Sequence, residues 1–339
     1  MKKEYIVAVA GAMGAVGQEM IKTLESSALP VKKLRPLDVG GNVGKSILFR
    51  GESAEVELSC ADAFEGVDIA FFAVENEVSK RLAPEAVKHG TVVIDNSSAW
   101  RMDENTPLVI PEVNSEALRE HHGIIANPNC ATIIALVPLK PLDDYAGIKR
   151  IIASTYQAAS GAGSAGMKEM HDQTKELLAG GTASPKAFVH QIAFNVIPHI
   201  DYFEENAYTH EEMKMLHESR KILHKPELMV NCTCVRVPVY RSHSESITIE
   251  TECPITPEKA RELLAAAPGV KLVDDPGHAV YPMPIDTTGQ GLIYVGRIRE
   301  DISSRGNGLT LWCCGDQLLK GAALNAVQIA EKMNEMRLL

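Results

Sequence analysis

The most reactive side chain that the sequence offers is a cysteine at the start of a predicted helix. In Asn127-Pro-Asn-Cys130 the proline ends a short apolar run, and an apolar helical pattern begins at once, over 131–139. A helix N-terminus lowers the pKa of a thiol and favours the nucleophilic thiolate. The position therefore predicts covalent catalysis by Cys130, and a buried structural cysteine is the alternative that position alone leaves open.

A second chemical feature is a glycine loop near the N-terminus. The apolar run 5–10 is typical of a strand buried on both faces, and Gly11-x-x-Gly14-x-x-Gly17 follows it directly. A helical pattern over 19–26 comes next. Glycines in this setting let the backbone approach a pyrophosphate at a helix N-terminus. The loop predicts a dinucleotide site, with a simple tight turn as the alternative.

An acidic residue bears on which dinucleotide would bind. The next strand is expected to end near Asp38, and Gly40, Gly41 and Asn42 follow it. A carboxylate here would bond the ribose hydroxyls of NAD and repel the extra phosphate of NADP. An ordinary turn aspartate is the alternative, and Lys45 is the only nearby cation after the strand.

The pattern of elements indicates two kinds of domain. Strand candidates at 67–74 and 91–96 flank a helical stretch at 77–88, which is the order of a parallel doubly wound sheet. Beyond 148 several strands and fewer helices predict an α+β domain with a mostly antiparallel sheet. The expected strands there are 148–159, 229–239, 243–253, 292–299 and 308–314, and the expected helices are 165–179, 209–224 and 317–336.

Bulk properties limit the classes of protein. The 339 residues suit two domains, and 45% apolar with 23% charged residues is typical of globular proteins. The net charge of −10 argues against a nucleic-acid surface, and no apolar run is long enough to span a membrane. The start also lacks the apolar region of a signal peptide.

The cysteines indicate a reduced, cytoplasmic protein. There are seven, an odd number without the spacing of a disulfide framework. Cys232-x-Cys234 and Cys313-Cys314 lie in apolar, strand-like runs with no second pair at zinc-site spacing. We therefore expect no metal and interpret these pairs as small buried hydrophobes.

At the cysteine motif the sequence resembles the aspartate-β-semialdehyde dehydrogenase family, and the resemblance runs in order over nearly the whole chain. These matches are together more specific than any one motif. The matching segments are Asp95-Asn-Ser-Ser-Ala-Trp-Arg101, Pro128-Asn-Cys130, Ser154-Thr-Tyr-Gln157-Ala-Ala-Ser-Gly-Ala-Gly163, Tyr208-Thr-His-Glu-Glu-Met-Lys-Met215, Cys234-Val-Arg236-Val-Pro, His243-Ser-Glu-Ser, Val295-Gly-Arg-Ile-Arg299 and Leu318-Leu-Lys-Gly-Ala-Ala323.

The resemblance implies catalytic roles for three residues. Cys130 would attack the acyl carbon and hold a thioester, His243 would be the general acid/base, and Gln157 would orient the substrate. Taken from the residues alone, His243 shares strand parity with Glu245 and Ile247, which a satisfied core histidine would also explain.

The resemblance also implies substrate-binding residues. Arg236 would bind the substrate α-carboxylate and Glu211 its amino group, while Arg101, Lys214 and Asn129 would hold the phosphate. By spacing alone, Glu211 and Lys214 are an ordinary surface ion pair on one helix. The two arginines would by default form surface or interdomain salt bridges.

For the cofactor, the resemblance implies NADP by default, but the sequence departs from the family pattern where the 2′-phosphate would bind. Gly40-Gly41-Asn42 stands in place of an Ala-Arg-Ser-like segment, and this difference favours NAD as the cofactor. Met13 and Gln317 replace a common Thr and Asn, and 180–192 is shorter than in many relatives. The implied cofactor-binding residues are Gly11, Met13, Gly14, Ala15, Val16, Asp38, Ser160, Gly161 and Gln317.

The implied architecture and partners complete the expectation. A Rossmann-like doubly wound sheet would be formed by 1–129 with 317–339, and an α+β catalytic and dimerisation domain by 130–316. The partners would be a small-molecule substrate and phosphate, without nucleic acid or membrane. The assembly would be a homodimer or a dimer of dimers.

The implied activity is that of an NAD(P)-dependent phosphorylating aldehyde dehydrogenase. It would reduce 4-phospho-L-aspartate to L-aspartate 4-semialdehyde through a Cys130 thioester, in the synthesis of lysine, threonine and methionine. Two alternatives stay open. One is another acyl-phosphate reductase, such as N-acetyl-glutamyl-phosphate reductase, whose substrate has no amine for Glu211. The other is a non-catalytic dinucleotide-binding paralogue.

Overall fold

The computed structural model of the protein describes residues 4–304 and 306–339. The strands are β1 Tyr5–Ala10, β2 Val31–Asp38, β3 Ser46–Phe49, β4 Glu52–Glu55, β5 Glu57–Leu58, β6 Ile69–Phe72, β7 Val92–Asp95, β8 Ile124–Ala126, β9 Ile148–Gln157, β10 Met229–Arg236, β11 His243–Thr251, β12 Val270–Leu272, β13 Ile293–Glu300 and β14 Gly308–Gly315. The α-helices are α1 Ala15–Ser26, α2 Asn76–Lys88, α3 Pro111–Asn114, α4 Cys130–Ala146, α5 Gly163–Leu178, α6 His210–Ile222, α7 Pro257–Ala266, α8 Pro284–Thr287 and α9 Leu324–Met336.

The chain divides into two compact units. The first takes in the described residues up to Asn129 together with Ala322–Leu339, and the second is Cys130–Gly321. The sequence placed the second boundary after 316. It lies after Gly321 because a π-helical turn, Leu319–Ala323, precedes α9 and brings Gly321 against Cys130.

The first unit is a doubly wound parallel sheet, as predicted. Its strand order is β5-β2-β1-β6-β7-β8, and every neighbouring pair is parallel. Alternate residues of β1 serve two cores, since Val7 and Val9 pack with α1 and α9 while Ala8 and Ala10 pack with α2. Burial on both faces explains why the strand is apolar throughout.

The second unit carries a mixed sheet of order β10-β9-β11-β14-β13-β12. The three central pairs are antiparallel, as predicted, and a parallel pair closes each edge. Helices α4, α6 and α7 pack on this sheet. Apolar residues lie on every side of α4, and most of them are buried. The helix therefore continues past Pro138 and Pro141 to Ala146, whereas the sequence predicted an end near 139.

Specific hydrogen bonds decide two local predictions. One of them, the start of the last helix, was wrong, and the other, the capping box of α6, is confirmed. The expected helix 317–336 begins later and with a π turn, because the Asp316 carboxylate accepts from Leu318 N and Leu319 N at 3.0 and 3.2 Å. The capping box at the start of α6 is confirmed, since Thr209 and Glu212 exchange both hydrogen bonds. Within the described residues, no helix has the length and apolar character needed to cross a membrane.

Candidate active site

The glycine loop of the first unit is shaped by steric contact. Gly11 has φ of +78°, and a β-carbon there would lie 2.2 Å from Ala73 O. A β-carbon at Gly17 would lie 2.1 Å from Gly11 O. Because both contacts are far below van der Waals distance, only glycine fits at these positions. The backbone of Gly11–Gly14 is thereby held tightly in front of α1, which begins at Ala15 without a side-chain cap.

Asp38 is part of this loop structure. Its Oδ2 accepts from Met13 N at 2.7 Å, and its Oδ1 accepts from Val39 N at 2.8 Å and Asn42 Nδ2 at 2.9 Å. Burial tends to raise the pKa of this carboxyl, but the three donors together with Lys45 outweigh it, so the pKa is lowered. An ionised carboxylate therefore lies beside the loop at the carboxyl end of β2.

Arg101 and Asn129, two predicted phosphate ligands, are buried in the first unit. The Arg101 guanidinium donates to Asn127 O at 3.0 Å and to Asn96 O at 2.8 Å. These main-chain contacts fix the side chain at the carboxyl ends of β7 and β8. Arg101 is thus held inside the unit and is not an exposed surface residue.

In the second unit, three predicted site residues come together across adjacent strands. Arg236 on β10 lies opposite Gln157 on β9, and Gln157 Nε2 is 3.5 Å from His243 Nε2 on β11. All three side chains are buried. We call Arg236, Gln157 and His243 the strand row.

A hydrogen-bond chain links the strand row to α6. The Thr155 hydroxyl donates to Gln157 Oε1 at 2.9 Å, and Gln157 Nε2 donates to Glu211 Oε1 at 3.0 Å. Lys214 Nζ then donates to Glu211 Oε2 at 3.0 Å and to Asp201 Oδ2 at 2.8 Å. Glu211 is buried and Lys214 nearly so, which makes this an interior charge network and not the surface ion pair that spacing alone allowed.

His243 is held by the peptide of Ala158. Ala158 N donates to His243 Nδ1 at 3.1 Å, and Arg236 Nη1 donates to Ala158 O at 2.7 Å. Complete burial, followed by the charge of Arg236, lowers the pKa of His243 to about 3, against the opposing charge of Glu211. The imidazole is therefore neutral at physiological pH.

Cys130 is the first residue of α4, as predicted, and it is partly exposed. Burial lowers the pKa of Arg236, and the charges of Glu211 and Cys130 oppose that change, which places the thiol in electrostatic range of the guanidinium. A β-carbon at Gly321 would lie 3.0 Å from Cys130 Cβ. Glycine at 321 therefore keeps the space beside the thiol open.

Ser160, Gly161 and Gln317 also meet in the second unit. The Gln317 amide donates to the Ser160 hydroxyl and accepts from Ser242 N at 2.8 Å. A β-carbon at Gly161 would lie 2.5 Å from Arg236 Nη1. The loop after β9 consequently runs close over the strand row.

Glu245, two residues beyond His243, is a buried acid of a different kind. It is completely buried, and neither carboxyl oxygen has a hydrogen-bond partner among the described residues. Burial, with a contribution from the charge of Glu211, raises the pKa of Glu245 well above its ordinary value. The surroundings of this carboxyl group therefore disfavour its ionised form.

Sequence reasoning missed three members of this arrangement. Thr155 shares strand parity with Gln157, so the period of β9 could have indicated it. Asp201 lies in an irregular segment with φ of +71°, and no pattern pointed to it. Ala158 acts only through its peptide group, which side-chain motifs do not record. The cysteine pairs 232/234 and 313/314 are buried as expected.

Comparisons with known proteins point to one family across both units. The family described as "Semialdehyde dehydrogenase, dimerisation domain" matches residues 139–320, and "Semialdehyde dehydrogenase, NAD binding domain" matches residues 6–121. Aspartate-semialdehyde dehydrogenase from Bacillus subtilis is 49% identical over 98% of both chains, and that from Aquifex aeolicus is 51% identical over 96% of this chain and 97% of its own. A crystal structure of aspartate semialdehyde dehydrogenase II complexed with ASA from Vibrio cholerae matches with a TM-score of 0.96 and 44% identity, over 98% of this chain and 99% of that chain.

Proposed function

The chain belongs to the aspartate-semialdehyde dehydrogenase family of NAD(P)-dependent oxidoreductases, and from this premise we propose that it reduces 4-phospho-L-aspartate to L-aspartate 4-semialdehyde and phosphate. Reduction in this direction would supply L-aspartate 4-semialdehyde for the synthesis of lysine, threonine and methionine. The observation that carries the proposal is the strand row, buried beside the interior Glu211–Lys214 pair and within electrostatic range of Cys130.

Cys130 is the nucleophile of the proposed reaction. Its sulfur attacks the acyl carbon of the acyl phosphate, the carbon–oxygen bond to phosphate breaks, and a thioester forms. The helix N-terminus and the nearby Arg236 charge favour the thiolate that this step requires. Gln157, fixed by Thr155 and Glu211, orients the acyl group, and His243 lies beside Gln157 at the reacting centre.

Charges of the second unit match the two ends of an amino acid. Arg236 carries a buried guanidinium suited to the α-carboxylate, and Glu211 carries a buried carboxylate suited to the α-ammonium group. The Glu211 match favours aspartyl phosphate over an N-acetylated acyl phosphate, which has no ammonium group. We infer that Lys214, Arg101 and Asn129 hold the phosphate.

The glycine loop suits a nicotinamide dinucleotide, because it leads from β1 directly to the N-terminus of α1, which has no side-chain cap and whose free N–H groups favour a pyrophosphate. When bound, the reduced cofactor supplies the hydride that converts the thioester to the aldehyde. We assign the pyrophosphate to the loop from Gly11 through Met13 and Gly14 to Ala15 and Val16. The Ser160, Gly161 and Gln317 cluster is assigned to the nicotinamide end.

We propose further that NAD is preferred over NADP. The Asp38 carboxylate stays ionised beside the loop, and Gly40 and Gly41 offer no cation for a 2′-phosphate. Lys45 Nζ is engaged by Asn42 Oδ1 at 2.6 Å. Initial rates with both cofactors test this assignment, and a hundredfold preference for NADP would overturn it.

The second unit also offers a surface for a second copy of the chain. Helices α4, α6 and α7 pack on the mixed sheet, and Ile152 and Tyr156, which alternate with the buried residues of β9, remain about two-fifths exposed. A family described by a dimerisation domain supports a homodimer through this face. Sedimentation of the wild type and of Ile152→Asp tests it, because a monomeric variant is expected and an unchanged dimer would contradict the assignment.

The test of the activity is phosphate-dependent reduction of NAD(P)⁺ with L-aspartate 4-semialdehyde. Activity is expected in the wild type and absent when phosphate is omitted. N-acetyl-glutamate 5-semialdehyde is the matched alternative substrate, and a higher kcat/KM with it would replace the proposed substrate. An inactive wild type would favour a non-catalytic dinucleotide-binding protein.

A further inference from the structure

An irregular segment of the second unit, residues 186–197, contacts Arg236 at two places. The main chains of Ile197 and Arg236 exchange two hydrogen bonds, at 2.9 and 2.8 Å. The Phe188 ring centroid lies 6.0 Å from Cζ of the Arg236 guanidinium, at the outer range of a cation–π contact. The segment therefore contacts both the backbone and the charged end of the residue to which we assign the substrate α-carboxylate.

Helix α5 holds the first part of this segment through a carboxylate. Glu169 accepts hydrogen bonds from three successive backbone N–H groups, those of Lys186 at 2.8 Å, Ala187, and Phe188 at 3.4 Å. Hydrogen bonds to a charged acceptor are stronger than those between neutral groups. The backbone that carries the Phe188 side chain is therefore fixed relative to α5.

Gln173, one helical turn further along α5, holds the next part of the segment. Its Oε1 accepts from Ile192 N at 2.9 Å and from Ala193 N at 3.2 Å. Its Nε2 donates to Glu169 Oε1 at 3.0 Å, and the Gln173 side chain is buried. Because the two side chains also bind each other, one connected set of hydrogen bonds joins residues 186–193 to α5.

Two glycines leave room for the Phe188 ring and the guanidinium. A β-carbon at Gly166 would lie 3.0 Å from Phe188 Cζ, and one at Gly161 would lie 2.5 Å from Arg236 Nη1. Phe188 also packs against a small buried cluster, which consists of Ala159, Met170, Ile192 and Ile197. The position of the ring is thus set by the loop after β9 as well as by α5.

An aromatic ring suits a cation whose N–H groups are needed by a substrate. Burial lowers the pKa of the Arg236 guanidinium, and the negative face of the Phe188 ring favours the cation. This contact uses none of the guanidinium N–H groups, which donate in the plane of the group. A protein carboxylate at the same place would instead compete with the substrate carboxylate for them.

Resting on the proposed function, we infer that Phe188, held by Glu169 and Gln173, is a positioning residue that orients the Arg236 guanidinium toward the substrate α-carboxylate. Phe188 contacts no reacting atom in this role and acts through Arg236. It therefore favours acyl groups that carry a carboxylate, and its contribution is expected in substrate binding.

Two substitutions at 188 separate the aromatic face from apolar packing. Phe188→Leu keeps an apolar side chain in the cluster but removes the ring, whereas Phe188→Tyr keeps the ring. We expect KM for L-aspartate 4-semialdehyde to rise roughly three- to tenfold in Phe188→Leu, with kcat changed less than about twofold because Ala158 O still holds Arg236. Phe188→Tyr should restore the wild-type KM. An unchanged KM in Phe188→Leu, or an equal rise in both variants, would overturn the inference.

A second aldehyde distinguishes a role at the carboxylate from a general loss of structure. 3-Aminopropanal is L-aspartate 4-semialdehyde without its carboxylate, so the proposed contact with Arg236 is not available to it. We expect kcat/KM for 3-aminopropanal to agree within about twofold between the wild type and Phe188→Leu. A parallel fall for both aldehydes would show that Phe188 only supports the fold, and would overturn the inference.

Glu169→Ala tests the anchor on α5. It should raise KM in the same direction as Phe188→Leu and add little to that variant, because both changes act through the same ring. Asp172→Ala removes an exposed acid from the same helix and is the matched control, in which KM should not change. Fully additive effects of Glu169→Ala and Phe188→Leu would contradict the role assigned to Glu169.

NMR of the arginine side chains gives a reading that does not depend on turnover. The Nε–H signal of Arg236 is assigned by its loss in Arg236→Lys. We expect this signal to carry a ring-current shift that disappears in Phe188→Leu and persists in Phe188→Tyr, and an unchanged signal in Phe188→Leu would overturn the inference. An inactive wild type that shows the ring-current shift would reject the proposed function while supporting the contact between Phe188 and Arg236.

Discussion

The glycine loop and the strand row differ in the chemical groups that form them. The loop is made of backbone, because the missing β-carbons of Gly11 and Gly17 and main-chain donors to Asp38 define it. The strand row is made of side chains, each held by a hydrogen bond to another side chain or to the Ala158 peptide. A pyrophosphate offers the same oxygens in every dinucleotide, so backbone suffices for it, whereas covalent chemistry needs particular functional groups at fixed positions.

The sharpest separation of cofactor binding at the glycine loop from covalent chemistry beside the strand row comes from Cys130→Ala. We expect kcat to fall by at least roughly 10⁴-fold, because no other group forms the thioester. The affinity for NAD⁺, measured by fluorescence titration, should change less than about twofold. Cys253→Ala removes an exposed thiol and serves as the control. A large loss of cofactor affinity in Cys130→Ala would show that the two regions are not independent.

The backbone character of the loop predicts the next effect. Gly17→Ala puts a β-carbon 2.1 Å from Gly11 O, so we expect the free energy of unfolding to fall by about 3 kcal/mol and cofactor affinity to weaken. Gly40→Ala meets nothing within 4 Å and should change stability by less than about 0.5 kcal/mol. Urea denaturation measures both variants, and similar losses in the two would contradict the steric argument.

The two regions also contain buried carboxyl groups with opposite pKa shifts. Unfolded Glu245 ionises near 4.5, while burial raises the pKa of the carboxyl group in the folded protein well above that value. As pH rises above 4.5, only the unfolded state releases this proton, so stability falls by about 1.4 kcal/mol per pH unit up to the folded pKa. Glu245→Gln removes this loss and should gain stability relative to the wild type as the pH rises from 4.5 toward the folded pKa of Glu245. Parallel stability curves for the two proteins would refute the assignment.

Asp38 contributes a pH dependence of stability opposite in sign to that of Glu245. Its pKa is lowered by folding, so its contribution is fully present above about 3.8 and is lost as pH falls through the folded pKa. We expect Asp38→Asn to cost about 1.5 kcal/mol at pH 7, the value of hydrogen bonds to a charged acceptor, and to cost less in acid. Urea midpoints against pH give the answer, with Asp62→Asn on the same unit as a control.

The smallest expected effect concerns the helix that carries Glu211 and Lys214. Thr209→Ala removes the capping box of α6 and should lower the free energy of unfolding by about 1 kcal/mol. Because the helix start frays, we also expect a modest rise in KM with little change in kcat. Thr256→Ala removes the corresponding cap of α7, away from the strand row, and should affect stability alone.

The sequence predicted those parts of the molecule that depend on local pattern. The strand–glycine–helix order gave the first sheet, the alternation in β11 put His243 on the buried face, and Thr209-x-x-Glu212 gave the helix start. It did not predict the parallel edge pairs of the second sheet or the π turn before α9. Strand neighbours far apart in the chain, and a turn set by the Asp316 carboxylate, leave no periodic signal.

The sequence identified the residues of the site better than it identified their hydrogen bonds and burial. Strand parity located His243 but could not reveal the hydrogen bond from Ala158 N to its Nδ1, since a peptide N–H is present at every residue except proline. Likewise the spacing of Glu211 and Lys214 gave the pair but not its burial, which depends on the packing of α6 on β10.

The double engagement of Arg236 has a consequence for discrimination among aldehydes. The same guanidinium that is proposed to receive the carboxylate also holds the Ala158 carbonyl, and that peptide holds His243. A substrate without a carboxylate would not bind the Arg236 guanidinium, so Arg236, the Ala158 peptide and His243 would lack that contact during hydride transfer. Short uncharged aldehydes should then be turned over slowly even at saturation, so selectivity would be expressed in kcat as well as in KM.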